Sequence, residues 1–359
     1  MIKLCDFTME YSDKYIQTQL SIIVCCYGGE KTIEACLESL TNLSVEENDV
    51  EILIVDDGSM DGTAPIIADY LDKNSDLVNP VFRYFRKNNE GLSIARNFGI
   101  RKAEFDTVAF IDEDAVADKY FASNILNLFN ENVNINCIAG KVDLLNDDIE
   151  FAQLLQSSIF SHGMKSQNAI IGTNMAFRKS VFANYGYFQP EFTYRGDESA
   201  LIAKARNKIN ILKSDLVKVK HNQPPTYSDW IKTRYENGYF SAAIHHLVKK
   251  DNGYPFIKLR WPLISLGTPV SLIIMALFRV SNAFIILIGL VYFLIFLKKF
   301  FISKLIPDIV DVYRKNSNAS IFKILTLTIL IINGVYTEGY GYVKGFFKFR
   351  RVSWTKTEY

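Results

Sequence analysis

Cysteine is scarce in this chain of 359 residues: Cys5, Cys25, Cys26, Cys36 and Cys137 are all there is, at no metal-like spacing. An odd count of this kind predicts reduced thiols of the cytosolic type instead of a disulfide framework. Met1-Ile2-Lys3-Leu4-Cys5-Asp6 contains no long apolar core, so no secretory signal is expected there. No Gly-x-Gly-x-x-Gly follows the first strand, which argues against a plain dinucleotide-binding dehydrogenase. There is no internal repeat, no low-complexity tract and no obvious activated Ser or Cys nucleophile. The net charge is only +1.

What is present begins with an alternation of strands and helices. Leu20 to Tyr27 reads as a buried strand, followed by Gly28-Gly29 and a helical pattern from Glu30 to Leu40. Val50 to Val55 is a second strand, ending in Asp56-Asp57-Gly58-Ser59, and a helix is expected from about Ala64 to Leu71. Arg83-Tyr84-Phe85 is a third strand, and Asn89-Glu90-Gly91 leads into a helix holding Ala95-Arg96-Asn97. Thr107 to Ile111 is a fourth strand and runs into Asp112-Glu113-Asp114. Such alternation predicts parallel pairing through crossover helices. In open sheets of this kind the ligand crevice lies at the carboxyl ends of the strands, where Tyr27, Asp56 and Asp112 stand. Two acids one residue apart suit a hard divalent cation, which takes carboxylates together with substrate phosphates.

In order along the chain, these segments resemble glycosyltransferase family 2, the inverting GT-A enzymes that use nucleotide-sugar donors. Ser21–Tyr27, Val55–Thr63, Asn89–Gly99, Asp112–Asp114, Gly172–Arg178 and Gly196–Leu201 carry the likeness, over roughly residues 20 to 240. The fold it implies is α/β: a GT-A, Rossmann-like mixed sheet with flanking helices, plus a C-terminal membrane-associated helical region. Residues 1–19 are then an N-terminal extension, 20–253 the catalytic domain and 254–359 a hydrophobic, basic region.

The resemblance also implies roles. Tyr27, Glu30, Asp56, Arg96, Asp112 and Arg234 would bind the nucleotide sugar, with Arg96 presenting its planar fork to phosphate. Asp114 would hold Mn²⁺ or Mg²⁺, with Asp112 and His221 able to share it. His221 follows the strand-like Leu216–Lys220. The acceptor hydroxyl must lose a proton as it attacks, which calls for a carboxylate base. Asp197 and Glu198 are the candidates, in the reverse of the family's usual acid order; Glu198 is favoured. Leu144 to Ile171, with His162, is expected to line the acceptor side. The processive polysaccharide synthases carry Gln-x-x-Arg-Trp where this chain has Ile231 and Tyr235 around Arg234, which argues against a processive polymerase.

The small net charge conceals a division. Residues 254–359 hold 14 Lys and Arg against 4 Asp and Glu, whereas the rest holds 26 against 35. The basic residues flank apolar runs, Leu263–Val280, Ala283–Leu297 and Ile321–Val335, instead of forming a solvated stripe, so lipid and not nucleic acid is the expected partner. The first two runs suggest a hairpin that leaves Lys298, Lys299 and Lys304 on the cytoplasmic side. The third would span, or would lie in the interface with Lys344, Lys348, Arg350 and Arg351 on headgroups. Together these features predict attachment to the cell membrane with the catalytic domain facing the cytoplasm, and a lipid-linked or glycan acceptor. A non-catalytic GT-A-like module is the alternative from another class.

Overall fold

The computed structural model describes residues 18–45, 49–76, 79–155, 170–205, 208–249 and 321–351. The apolar runs Leu263–Val280 and Ala283–Leu297, His162 and most of the expected acceptor-side segment lie outside the described residues. The ordered elements run β1 (Leu20–Cys26), α1 (Ile33–Thr41), β2 (Val50–Asp56), α2 (Thr63–Lys73), β3 (Val81–Arg86), α3 (Leu92–Lys102), β4 (Thr107–Asp112) and β5 (Ala115–Ala117). They continue with α4 (Phe121–Glu131), β6 (Cys137–Leu144), α5 (Glu150–Leu155), β7 (Asn174–Arg178), α6 (Ser180–Tyr185) and α7 (Asp197–Lys204). β8 (Ile211–His221), α8 (Tyr227–Lys249) and α9 (Ile321–Lys348) complete the described chain.

The strands form a sheet ordered β3-β2-β1-β4-β7-β6-β8-β5. β3, β2, β1 and β4 are parallel, as the β/α alternation requires, and β7 joins antiparallel to β4. β1 is buried along its whole length. Because side chains alternate across a strand, Ile22, Val24 and Cys26 enter one core while Ile23 and Cys25 enter the other. The first core is closed by α1, α2 and α4 through Ile33, Leu37, Ile67, Phe121 and Phe129. The second is closed by α3, α6 and α7 through Ala95, Ile100, Phe182 and Leu201. A sheet covered on both faces reads as continuous apolar runs, which is why β1, β2 and β4 were legible.

The register sets the site. Cys26 pairs with Asp56 and Cys25 with Asp112, so the ends of β1, β2 and β4 meet at one edge. The helical pattern expected from Glu30 starts later, at Ile33, leaving Glu30 in the turn after β1.

α9 packs along α8 with almost no side-chain spacer. A Cβ added at Gly238 would overlap the carbonyl of Glu338, and one at Gly341 or Gly345 would overlap the carbonyl of Tyr235 or Tyr239. Small residues let two helical backbones approach this closely. Gly341→Leu is therefore expected to force the helices apart at about 1–3 kcal/mol, the usual range for overpacking. A lowered unfolding midpoint, absent for a surface change such as Met60→Ala, checks it. Among the described residues no helix is long and apolar enough to cross a membrane.

Candidate active site

Asp112 ends β4, and β5 begins three residues later at Ala115. Ala115 pairs with His221 at the end of β8, and this pairing carries Asp114 to the imidazole. His221 Nε2 lies 3.0 Å from Asp114 Oδ1. One donor atom each from Asp112, Asp114 and His221 lie within 4.8 Å of one another. Burial opposes protonation of His221, but the Asp114 bond and the surrounding carboxylates outweigh it and raise the pKa. Two carboxylates and an imidazole are donors suited to Mn²⁺ and acceptable to Mg²⁺, so the residues fit the expected ion.

The second half of the site is joined to the first by Arg96. Its guanidinium, buried against the rings of Phe110 and Phe188, donates from Nη1 to both oxygens of Asp197 at 2.9 Å. Nη2 donates to Asp112 Oδ1 at 3.0 Å and to the Gly172 carbonyl at 3.2 Å. The fork expected to meet phosphate is thus turned to two protein carboxylates. A Cβ at Gly172 would stand 3.0 Å from Arg96 Nη2, so glycine leaves room for the fork. Thr173 Oγ1 donates to Asp112 Oδ2 at 2.6 Å, and the Ile111–Asn174 pairing of β4 with β7 brings it there. Thr173 carried no role in the sequence reading; only its place one residue before β7 marks it.

Asp197 and Glu198 open α7, after Gly196 in the left-handed region at φ 87°. Asp197 is fully buried and consumed by Arg96. Glu198 is half-buried and accepts from Ser199 Oγ at 3.1 Å. Desolvation, with the adjacent Asp197 charge adding to it, pushes the Glu198 carboxyl up to about 8. The neighbouring acids are therefore distinct: one is gripped by Arg96, the other has its carboxyl raised by burial and by Asp197. A group shifted this way in a crevice is a candidate for acid–base work.

Around this centre the turns interlock. Tyr27 is exposed at the end of β1. Glu30 and Asp61 cross-link two turns: Glu30 N–H donates to Asp61, and Gly62 N–H donates to Glu30 Oε2 at 3.0 Å. Asp56, expected to meet a base, is fully buried; its oxygens accept from Ser59 N–H at 2.8 Å and the Tyr84 hydroxyl at 3.1 Å. Asp57 was read only as part of the motif, yet it locks the turn before α3, accepting from Lys87 Nζ at 2.6 Å and Gly91 N–H at 2.7 Å. Arg234, expected to bind the donor, is paired with Glu338 of α9. The physical reason is the close α8–α9 crossing, which no local pattern around Arg234 could signal.

Comparison with known proteins agrees with this fold. Residues 21–186 match the family Glycosyl transferase family 2. The poly-beta-1,6-N-acetyl-D-glucosamine synthase of Staphylococcus epidermidis is 29% identical over 182 residues, covering 48% of this chain and 42% of that protein. The minor teichoic acid biosynthesis protein GgaB of Bacillus subtilis is 28% identical over 142 residues, covering 40% of this chain and 15% of its own length. These matches span less than half of either relative. A mannosyltransferase of Pyrobaculum calidifontis, solved with GDP-Man and Mn²⁺, superposes with a TM-score of 0.54 at 14% identity, over 93% of this chain and 87% of that one. The stretch that matches this family, residues 21–186, holds Asp56, Arg96, Asp112 and Asp114.

Proposed function

We propose that this chain is an inverting glycosyltransferase that moves a sugar from a UDP-sugar to a lipid-linked glycan or polyprenyl-phosphate acceptor at the cell membrane. One observation carries the reading: Asp112, Asp114 and His221 converge within 4.8 Å, and Arg96 ties that cluster to the Asp197–Glu198 pair. Asp112, Asp114 and His221 would hold the divalent ion, which supplies Lewis-acid stabilisation of the departing diphosphate. Tyr27 offers an exposed ring for the base, and Arg96 keeps the donor and acceptor sides in register. Glu198 takes the proton from the attacking hydroxyl. Inversion needs a single displacement, so no protein nucleophile is required.

The two apolar runs before residue 298 and the basic residues after them support membrane attachment with the catalytic domain on the cytoplasmic side. The relatives' names place them in polysaccharide and teichoic acid synthesis, which supports a glycan product. A processive synthase is the second reading, favoured by the name of the Staphylococcus relative and disfavoured by Ile231 and Tyr235.

The test is turnover by the detergent-solubilised chain with a panel of UDP- and GDP-sugars, with and without EDTA. One nucleoside diphosphate should be released, and both EDTA and Asp114→Asn should abolish release beyond 10²-fold, the scale of losing Lewis-acid stabilisation. Nucleotide-sugar binding without turnover, even with membrane extract as acceptor, points to the non-catalytic module. Long polymer as product points to the synthase. Equal use of soluble and lipid-linked acceptors sinks the lipid-linked part alone.

A further inference from the structure

We propose that the C-terminal half of α9 seats against an anionic lipid surface, with Tyr336, Tyr340 and Phe347 at the centre of the contact and Lys344, Lys348 and Arg351 at its margin. The inference rests on the membrane-attached reading above and names the surface that would meet the headgroups. Tyr336, Tyr340 and Phe347 are 39%, 52% and 65% exposed. Single exposed aromatics are common, but a contiguous exposed patch of them marks an interaction surface. At 3.6 residues per turn, positions 336, 340, 344, 347 and 348 fall within roughly a third of the helix circumference. They form one stripe.

The opposite face is already occupied. Leu330, Gly334, Gly341, Tyr342 and Gly345 are buried, the glycines against Trp230, Tyr235 and Tyr239 of α8. Among the described residues, the stripe therefore looks away from α8. Its charge is of one sign. α9 has a single acid, Glu338, and Arg234 neutralises it. Among the described residues, none of Lys344, Lys348 and Arg351 is paired with a carboxylate; Lys344 Nζ instead stands 5.7 Å from the centre of the Tyr340 ring. Tyr rings with Lys and Arg beside them are the composition of a headgroup zone, where the ring is amphipathic and the cation meets lipid phosphate. The helix enters this stripe from an apolar first half, Ile321 to Ile332, interrupted only by Lys323 and two threonines. Along the chain the order is apolar segment, then aromatics, then cations, the composition of a helix end that meets headgroups. A nucleic-acid groove would need cations without that apolar continuation.

The full chain, with Cys5→Ser, would carry an environment-sensitive fluorophore at Tyr340→Cys or Phe347→Cys. The cysteines Cys25, Cys26, Cys36 and Cys137 are buried and would not compete. Met60→Cys, at a position 92% exposed in the turn between β2 and α2, is the control. The protein is reconstituted in vesicles of phosphatidylcholine alone or with 30 mol% phosphatidylglycerol, a composition chosen at roughly the anionic content that gives a strong surface potential. A blue shift and several-fold weaker iodide quenching at 340 and 347, but not at 60, are expected in the anionic vesicles. Lys344→Gln with Lys348→Gln should return both signals to their phosphatidylcholine level. No shift, an equal shift in both lipids, or a shift that follows protein concentration at fixed lipid would overturn the proposal; the last would mark a contact between copies. Donor turnover is read in the same vesicles. Turnover without the blue shift rejects the lipid contact only, and a blue shift without turnover rejects the catalytic reading only.

Discussion

Glu198→Gln is expected to lower kcat by about 10²- to 10⁴-fold, the usual contribution of a positioned general base, while leaving folding and donor binding near wild type. The amide keeps the size and the Ser199 contact but cannot accept a proton from the acceptor. The same residue should shape the pH profile. Desolvation and Asp197 hold its carboxyl up to about 8, so below that value most of the enzyme carries a protonated, inactive base. kcat/KM reports groups of the free enzyme, so it should rise about tenfold per pH unit up to that point and level above it. Glu198→Gln should remove this limb from whatever rate remains. A profile that is flat between pH 6 and 8 in the wild type, or unchanged in the variant, would move the base elsewhere.

Arg96→Met should unfold or nearly unfold the catalytic domain. The side chain is almost fully buried and answers two carboxylates at once, so removing it strands the buried charge of Asp197 and frees Asp112. Breaking one partner of a buried ion pair costs about 3–5 kcal/mol, a large part of a domain's total stability. The effect divides the two acids as well. Asp197→Asn should share much of the stability loss, because it leaves the Arg96 cation half-paired, whereas Glu198→Gln should not. Arg96→Lys keeps a charge but loses the fork that spans Asp112 and Asp197, so it should fold better than Arg96→Met and still lose kcat. Urea unfolding of the four variants beside their kcat values tests this. Normal stability in Arg96→Met would show that the triad is not what holds the two halves of the site together.

β1, β2 and β4 are covered on both faces, so their apolar runs are continuous. The residues at their ends follow directly, and Asp112, Asp114, Tyr27 and Asp56 were named from them. β8 was located through Leu216–Lys220, but that His221 stands 3.0 Å from Asp114 depends on the pairing of β5 with β8 across more than a hundred residues. The three-residue β5 is too short to leave a periodic signal. Asp57 and Thr173 were missed as individuals because each acts on backbone or side chains far along the chain.

The amino-acid sequence by itself determined the α/β class, the sites where strands stop in acids, and the separation of an acidic first part from a basic, apolar last part. Those properties are local: period, composition and the residue after each strand. Only the tertiary structure decided that Arg96 faces Asp112 and Asp197, that Arg96 grips Asp197 and not Glu198, and that Arg234 pairs with Glu338 across the α8–α9 crossing. A guanidinium or carboxylate can pair with any opposite charge that packing brings within about 3 Å, and which one arrives is set by sheet order and helix approach, not by neighbours in sequence.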